Sequence, residues 1–382
     1  MNRLKAIGQL TLAHLINDIY APVLMALQPV LITMYGYSYF EAAMLPVTHS
    51  LVSSLLQPVF GRLADRRGLK VSVGLSILLS GIGISILGFI PNQYLIMLLC
   101  VAISGIGHAS FHPGALCKVS AIATGDSRGK LTSFFVVGGN LGMALGPIIA
   151  GIILTSGGIP LVTALIIPAI IAALVLYLHP IPDVKLPEKV KKQDVKEDWN
   201  PVILLFSGST LRSWVTFGAM TFFPTFLVLE GYPLIEATTL VSIMLMAGVA
   251  GQITGGILSD RIGRKKVVVF TTFASIPAMI AVIEIQGVIQ IISMIIFGYL
   301  LWSSFAVTIA MAHEQMPSQV GLISGLFLGI AMGAGGIGVS VSGVIADQIG
   351  LSATLAIFPV ILLVAGLLFL TVRTPETKIS KI

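Results

Sequence analysis

Gln57-Pro-Val-Phe-Gly61-Arg-Leu-Ala-Asp65-Arg66-Arg-Gly68-Leu-Lys70 returns 195 residues later as Gln252-Ile-Thr-Gly-Gly256-Ile-Leu-Ser-Asp260-Arg261-Ile-Gly263-Arg-Lys265. Seven identical positions at one offset imply a duplicated chain. A weaker echo pairs Gly129 and Phe135 with Gly321 and Phe327, at an offset of 192. Each copy is a short basic break between long apolar stretches, and such stretches recur through all 382 residues. Hydrophobic residues make up 56% of the chain and charged residues 10%, and mean hydropathy is +0.99. Soluble domains carry roughly a quarter charged residues, so a water-soluble, disordered or fibrous protein is excluded.

A bilayer core of about 30 Å takes about 20 apolar residues per helix. Hydropathy and its breaks predict helices near 5-34, 40-63, 71-90, 94-121, 129-156, 160-180, 201-229, 234-258, 267-284, 288-312, 321-347 and 352-372. These runs are too long and too uniformly apolar for the roughly ten-residue alternating strands of a membrane barrel. The expected fold is therefore all-α and integral to the membrane, with twelve transmembrane helices. Lysines and arginines gather in alternate breaks, which by the positive-inside rule puts both termini on the cytoplasmic side of the cell (plasma or inner) membrane. The hydrophilic stretch 181-199 reads as a cytoplasmic linker between an N-terminal six-helix bundle, 1-180, and a C-terminal one, 200-382. Parallel repeats of this kind are a transporter architecture with the substrate site near the midplane. The first helix reads as retained rather than cleaved. Cys100 and Cys117 lack metal-ligand spacing and read as packing residues. The net charge of +6 is scattered over short loops with no basic domain, so nucleic acid is not an expected partner.

Gly61 to Lys70 resembles the loop motif between helices two and three of the major facilitator superfamily, and Gly256 to Lys266 its counterpart between helices eight and nine. The first copy departs at Leu69, where a basic residue is usual. The resemblance implies two pseudo-symmetric six-helix bundles and a conformational latch formed by Gly61, Asp65, Arg66, Gly68, Gly256, Asp260, Arg261 and Gly263. Gly142-x-x-x-Gly146-Pro147-x-x-Ala150-Gly151 resembles the superfamily's fifth-helix motif of proton-driven exporters, although Ala150 and Ser133 stand where fuller forms have glycine. Small residues four apart also serve plain helix packing. His14-Leu-Ile-Asn17-Asp18, Ser53-Ser-Leu-Leu-Gln57-Pro58, Phe111-His112-Pro113 and Val137-Gly-Gly-Asn140-Leu-Gly are similar to segments of the fosmidomycin-resistance exporters. That similarity implies export of a small polar drug or metabolite against the proton gradient.

Ionisable groups inside the membrane cost a few kcal/mol unless paired or facing a cavity. His14, Asn17 and Asp18 share one helical face, and Asp18 lies about 20 Å beyond Lys5 at 1.5 Å per residue, near the midplane. Asp18 is the candidate proton-coupling carboxylate, with His14 and His112 as relays; its structural alternative is a pin locked to a histidine or to backbone donors. Arg212, about twelve residues into the seventh helix, offers a permanent fork of donors for a carboxylate or phosphonate, against the alternative of a helix-helix salt bridge. Asn17, His49, Gln57, His108 and Asn140 are further candidate substrate contacts, and Tyr20, Trp214 and Trp302 candidate walls. Glu230, Glu236, Glu314 and Asp347 read as solvated charges. The spacing of His14, Asp18, His108 and His112 over separate helices is not diagnostic of a metal site, and no metal or other cofactor is expected. No phosphate-binding loop is present, so the chain reads as a carrier rather than an enzyme. The expectation is a monomeric proton-coupled antiporter of small polar or anionic compounds, with membrane lipids as its surroundings. Its rivals are a proton-coupled importer of an organic anion and a non-transporting receptor with the carrier fold.

Overall fold

The computed structural model describes residues 3–67, 72–122, 128–181, 199–316 and 319–373. Among them every regular element is helical: α1 Arg3–Tyr35, α2 Tyr39–Arg67, α3 Val73–Ser85, α4 Tyr94–Ile122, α5 Arg128–Gly157, α6 Ile166–Leu178, α7 Trp199–Leu229, α8 Leu234–Ile262, α9 Arg264–Glu284, α10 Val288–Ser303, α11 Phe305–Gln315, α12 Val320–Gly325, α13 Met332–Ile349, α14 Leu351–Leu355 and α15 Phe358–Thr371. Ten helical segments among the described residues are long and apolar enough to cross a membrane. The other two of the expected twelve are the short apolar Val73–Phe89 and α2, whose apolar run is interrupted by His49, Ser53, Ser54 and Gln57. Large apolar side chains on the outer faces, such as Leu95, Ile167, Leu174 and Phe270, are exposed, as hydrocarbon surroundings permit and water would not.

Three expected helices are interrupted. The span predicted over 288-312 breaks at Ser304, between α10 and α11. There Ser303 Oγ donates to Tyr299 O at 2.6 Å and Thr308 Oγ1 to Ser304 O at 2.7 Å. Such side-chain bonds compete with the helix ladder and bend it. Between α12 and α13 a π-helical stretch, Leu326–Ala331, widens the span predicted over 321-347, a distortion common at functional sites. The last span turns at Ala356–Ile357 between α14 and α15.

Two compact units emerge. Unit one comprises Met1–Lys189, Gly218–Ile243 and Gly336–Leu351; unit two comprises Val190–Phe217, Met244–Gly335 and Ser352–Ile382. In unit one, α1 is the central helix, with Tyr20, Leu24, Leu27 and Leu31 in its core. Since lipid is as apolar as leucine, close backbone approach rather than hydrophobicity holds such helices together. The α5 glycines supply it. A Cβ on Gly138, Gly142 or Gly146 would press on the carbonyls of Thr11, Leu15 and Ile19 respectively, one helical turn apart on both chains. Segments from later in the sequence complete the unit. Asp347, near the end of α13, accepts the amides of Tyr39 at 2.7 Å and Phe40 at 3.1 Å, capping the open end of α2. Asp347 is exposed but bonded, a role its reading as a solvated charge did not include. Ser242 Oγ on α8 accepts the amide of Ile148, just after Pro147, at 3.0 Å.

Unit two has its own core, including Leu205, Val268, Met311, Phe327 and Phe369. Gly251 and Gly255 of α8 lie against the backbone of Tyr299 and Ser303 on α10. Gly263, at φ +99°, makes the turn from α8 to α9 that a side chain would strain. Beside it Arg264 bonds Glu314 at 2.9 Å and lies 3.8 Å from Asp260, so Glu314, exposed as its reading had it, is also paired. Among the described residues, a Cβ on Gly61 or Gly256 would meet nothing within 4 Å. Gly68 lies outside the described residues, and of Asp65 and Arg66 only the helical backbone at the end of α2 is described.

Candidate functional site

The 3.6-residue period of α1 stacks His14 over Asp18, with Nε2 3.2 Å from Oδ2 and both side chains buried. On its other side, His14 Nδ1 lies 2.8 Å from the carbonyl of Phe135 on α5. A carbonyl only accepts, so Nδ1 carries a hydrogen, and a neutral imidazole would then turn a bare lone pair on Nε2 toward Asp18. Two acceptors at that distance repel unless a proton lies between them. The His14–Asp18 pair therefore holds one shared proton, as imidazolium and carboxylate or as imidazole and carboxylic acid. Phe135 also stacks on the imidazole, with ring centroids 4.2 Å apart and planes inclined by 21°. Gly139 allows α5 to come this close, because a Cβ there would overlap His14 Nε2 and crowd Asp18.

Asn17, fully buried, organises the second edge. Ser80 Oγ on α3 donates to Asn17 Oδ1 at 3.0 Å, which orients the amide. Its NH2 group then donates to Asp18 Oδ1 at 2.9 Å and to His108 Nδ1 at 3.0 Å. His108 is thereby an acceptor at Nδ1, and a neutral ring carries its hydrogen on Nε2, which faces His112 Nε2 at 3.0 Å. A directed chain of bonds thus runs from Ser80 through Asn17 and His108 to His112. Both α4 histidines also lie close to Asp18 Oδ1, His112 at 3.8 Å and His108 at 3.9 Å. His49 on α2 is buried with its ring 5.2 Å from that of His108, and its Nε2 has no hydrogen-bond partner among the described residues. In all, four histidines surround one aspartate. The ligand atoms of His14, Asp18 and His112 lie within 4.8 Å of one another, close enough to hold a metal ion.

Unit two carries the other candidate. Arg212 of α7 is buried, donates to Ser304 Oγ at the α10–α11 break, and has its guanidinium carbon 6.0 Å from the centroids of both the Phe305 and Phe369 rings. It has no carboxylate partner among the described residues, so the helix-helix salt bridge weighed for it has no support there. A hydroxyl and two ring faces suit a guanidinium but do not neutralise it, which leaves Arg212 fitted to an incoming anion.

Of the sequence candidates, His14, Asn17, Asp18, His49, His108 and His112 come together. Gln57, two helical turns beyond His49 on α2, and Asn140 of α5 are half-buried. Gly142 and Gly146 seat α5 on the Asp18 helix, which is the packing alternative weighed for that motif. Tyr20 is no cavity wall: it is fully buried, and its hydroxyl donates to Leu165 O at 3.0 Å. Sequence reading missed Ser80, the carbonyl of Phe135 and the phenyl groups of Phe305 and Phe369. Gly139 stood inside a quoted segment and gave no sign of its contact.

The sequence matches the Major Facilitator Superfamily over residues 10–336 and 243–381. It is 30% identical over 373 residues to the fosmidomycin resistance protein of Escherichia coli K12, covering 90% of this chain and 86% of that protein. It is also 30% identical over 375 residues to YfnC of Bacillus subtilis 168, a transporter of the same superfamily not otherwise characterised, covering 94% and 91%. Among solved structures, a bacterial homologue of the human lysosomal transporter Spinster, inward-facing and occupied, superposes with a TM-score of 0.81 over 96% of each chain at 18% identity.

Proposed function

Since this chain belongs to the major facilitator superfamily and is accordingly a multi-pass membrane carrier of small molecules, we propose that it exports a small anionic compound, of fosmidomycin type, in exchange for protons. The observation that carries the reading is the 3.2 Å approach of His14 Nε2 to Asp18 Oδ2 with His14 Nδ1 bonded to a carbonyl, which calls for one proton between the pair. It makes the pair a store that can be filled from one side of the membrane and emptied to the other. His112 and His108, within 3.9 Å of the same carboxylate, supply the next proton acceptors along α4. Arg212 binds the anionic group of the substrate, with Ser304 and the two phenyl rings fixing the guanidinium plane. The basic breaks of the sequence support a cell-membrane carrier with both termini cytoplasmic, and the recurring motif at Gly61 and Gly256 supports a conformational latch.

Export runs as follows. The outward-open form takes up a proton at the His14–Asp18 pair; reorientation delivers that proton to the cytoplasm; proton loss favours capture of the anionic substrate at Arg212; and the return step releases it outside. No covalent chemistry is involved. The test uses proteoliposomes of the purified protein with a pH-sensitive dye inside. Fosmidomycin and a panel of small phosphonates and carboxylates are added to wild-type protein and to Asp18→Asn. Substrate-dependent proton movement in the wild type and none in the folded mutant is expected. Absence of proton movement with every compound, in a protein that still binds one of them, would overturn proton coupling.

A further inference from the structure

We propose that the buried cluster on α1 and α4 is also a binding site for a divalent transition-metal ion of the zinc, cobalt and nickel class, ligated by His14 Nε2, the Asp18 carboxylate and His112. Sequence spacing gave no reason to expect one, because the donors come from two helices 94 residues apart in the chain. Their meeting is a property of the fold. A metal ion here displaces the proton shared by His14 Nε2 and Asp18 Oδ2 into solution, so metal and proton exclude one another at the pair, whatever the direction of transport.

Three independent features support it. The first is spacing. Metal–ligand bonds of about 2.0–2.2 Å in a tetrahedral site put donor atoms roughly 3.3 Å apart. His14 Nε2 and Asp18 Oδ2 are already 3.2 Å apart, and His112 Nε2 is 3.8 Å from Asp18 Oδ1; all three donors fit within 4.8 Å. Closing the widest of these separations, up to 4.8 Å, to a tetrahedral donor spacing takes a side-chain movement of about 1.5 Å.

The second is the surrounding support. A metal-binding histidine usually donates its remote ring N–H to a carbonyl or carboxylate, which fixes the ring and aims the other nitrogen at the ion. His14 Nδ1 does so to Phe135 O at 2.8 Å. Asn17 holds the carboxylate in the same way, at 2.9 Å from Oδ1, and is itself oriented by Ser80.

The third is spare coordination. Two imidazoles and one carboxylate suit zinc, cobalt or nickel rather than magnesium or calcium, which favour all-oxygen shells, and they leave at least one position open. His108 Nε2 lies 3.0 Å from His112 Nε2. His49, beside His108, has a buried Nε2 without a hydrogen-bond partner among the described residues. Of these the unbonded His49 Nε2 is the candidate fourth ligand, because His108 Nε2 carries that ring's hydrogen in this arrangement.

The probe is cobalt(II), whose visible absorption is strong when four- or five-coordinate and weak in water. The full-length protein, purified in detergent with any affinity tag removed, is titrated with cobalt chloride and then with zinc chloride. One intense cobalt band per chain, displaced by zinc, is expected. The band should vanish in Asp18→Asn and His112→Ala, weaken by about 10- to 100-fold in affinity in Asn17→Leu, and persist in the double variant His179→Ala, His313→Ala. Thermal unfolding and size-exclusion profiles establish that each variant is folded; where His112→Ala is not, His112→Gln replaces it. The inference is overturned by the absence of an intense band in the wild type at millimolar cobalt, or by a band that survives in folded Asp18→Asn and His112→Gln. Loss of the band in the double variant would also overturn it.

Discussion

The two buried charge sites solve opposite problems. Around Asp18, one negative group has more donors than it needs: His14 and Asn17 bond it, with His112 and His108 just beyond. Around Arg212, one positive group has a hydroxyl and two rings, and no acid among the described residues. With one proton shared between His14 and Asp18, the first site has no net charge of its own. The second is a charge left uncompensated, which a protein tolerates at membrane depth only where something else supplies the counter-charge. On the proposed function, the charge balanced from within is the one that titrates during the cycle, and the charge balanced from outside is the one that binds.

The largest test of this contrast is Asp18→Asn, which keeps the shape and removes the shared proton. Substrate-driven proton movement should fall to the level of empty liposomes, while equilibrium binding of the anion stays within a few fold. If binding disappears as well, the two sites do not divide their roles in this way. Arg212→Ala should do the reverse. Charge-assisted hydrogen bonds contribute about 1.5–3 kcal/mol each, so anion affinity should fall about 10- to 100-fold, measured by isothermal titration. Arg212→Lys should recover only part of it, because an ammonium cannot present the planar fork.

Packing offers a smaller test. Gly142→Ala places a methyl against the Leu15 carbonyl, and overpacking of this kind costs about 1–3 kcal/mol; its thermal midpoint in detergent should drop. Gly256→Ala, with open space around it, should leave the midpoint unchanged or raise it, since alanine is the better helix former by about 0.5–1 kcal/mol. Asp347→Ala lies between these two. Loss of an N-terminal helix cap costs about 1 kcal/mol, and the same thermal measurement should show a decline below that of Gly142→Ala.

The membrane fold was legible in the sequence because hydrocarbon leaves a chain so few options: long apolar runs, basic breaks and a repeat at one offset permit little else. The histidines, Asp18 and Arg212 were legible for the related reason that each is costly where it stands. Their partners were not. Ser80 is an ordinary serine in an apolar helix, and only the meeting of α3 with α1 makes it the group that orients Asn17. Phe135 contributes a backbone carbonyl, which no residue type announces. Ser303 and Ser304 read as part of one continuous helix, and the break appears only when Ser303 bonds back to Tyr299 and Arg212 reaches Ser304. The α5 glycines were legible as a packing stripe, but which helix they receive, and that Gly139 faces the shared proton, depends on the register of α5 against α1.

The proton between His14 and Asp18 also has an electrical consequence. With it in place the pair has no net charge, whichever of the two atoms holds it. A carrier that reorients in that state does no work at this pair against the membrane potential. One that reorients after the proton has left carries a full negative charge, and moving an elementary charge across the membrane is worth about 2.3 kcal/mol per 100 mV. In the proposed cycle, the voltage dependence contributed by this cluster therefore belongs to the proton-free, substrate-loaded step.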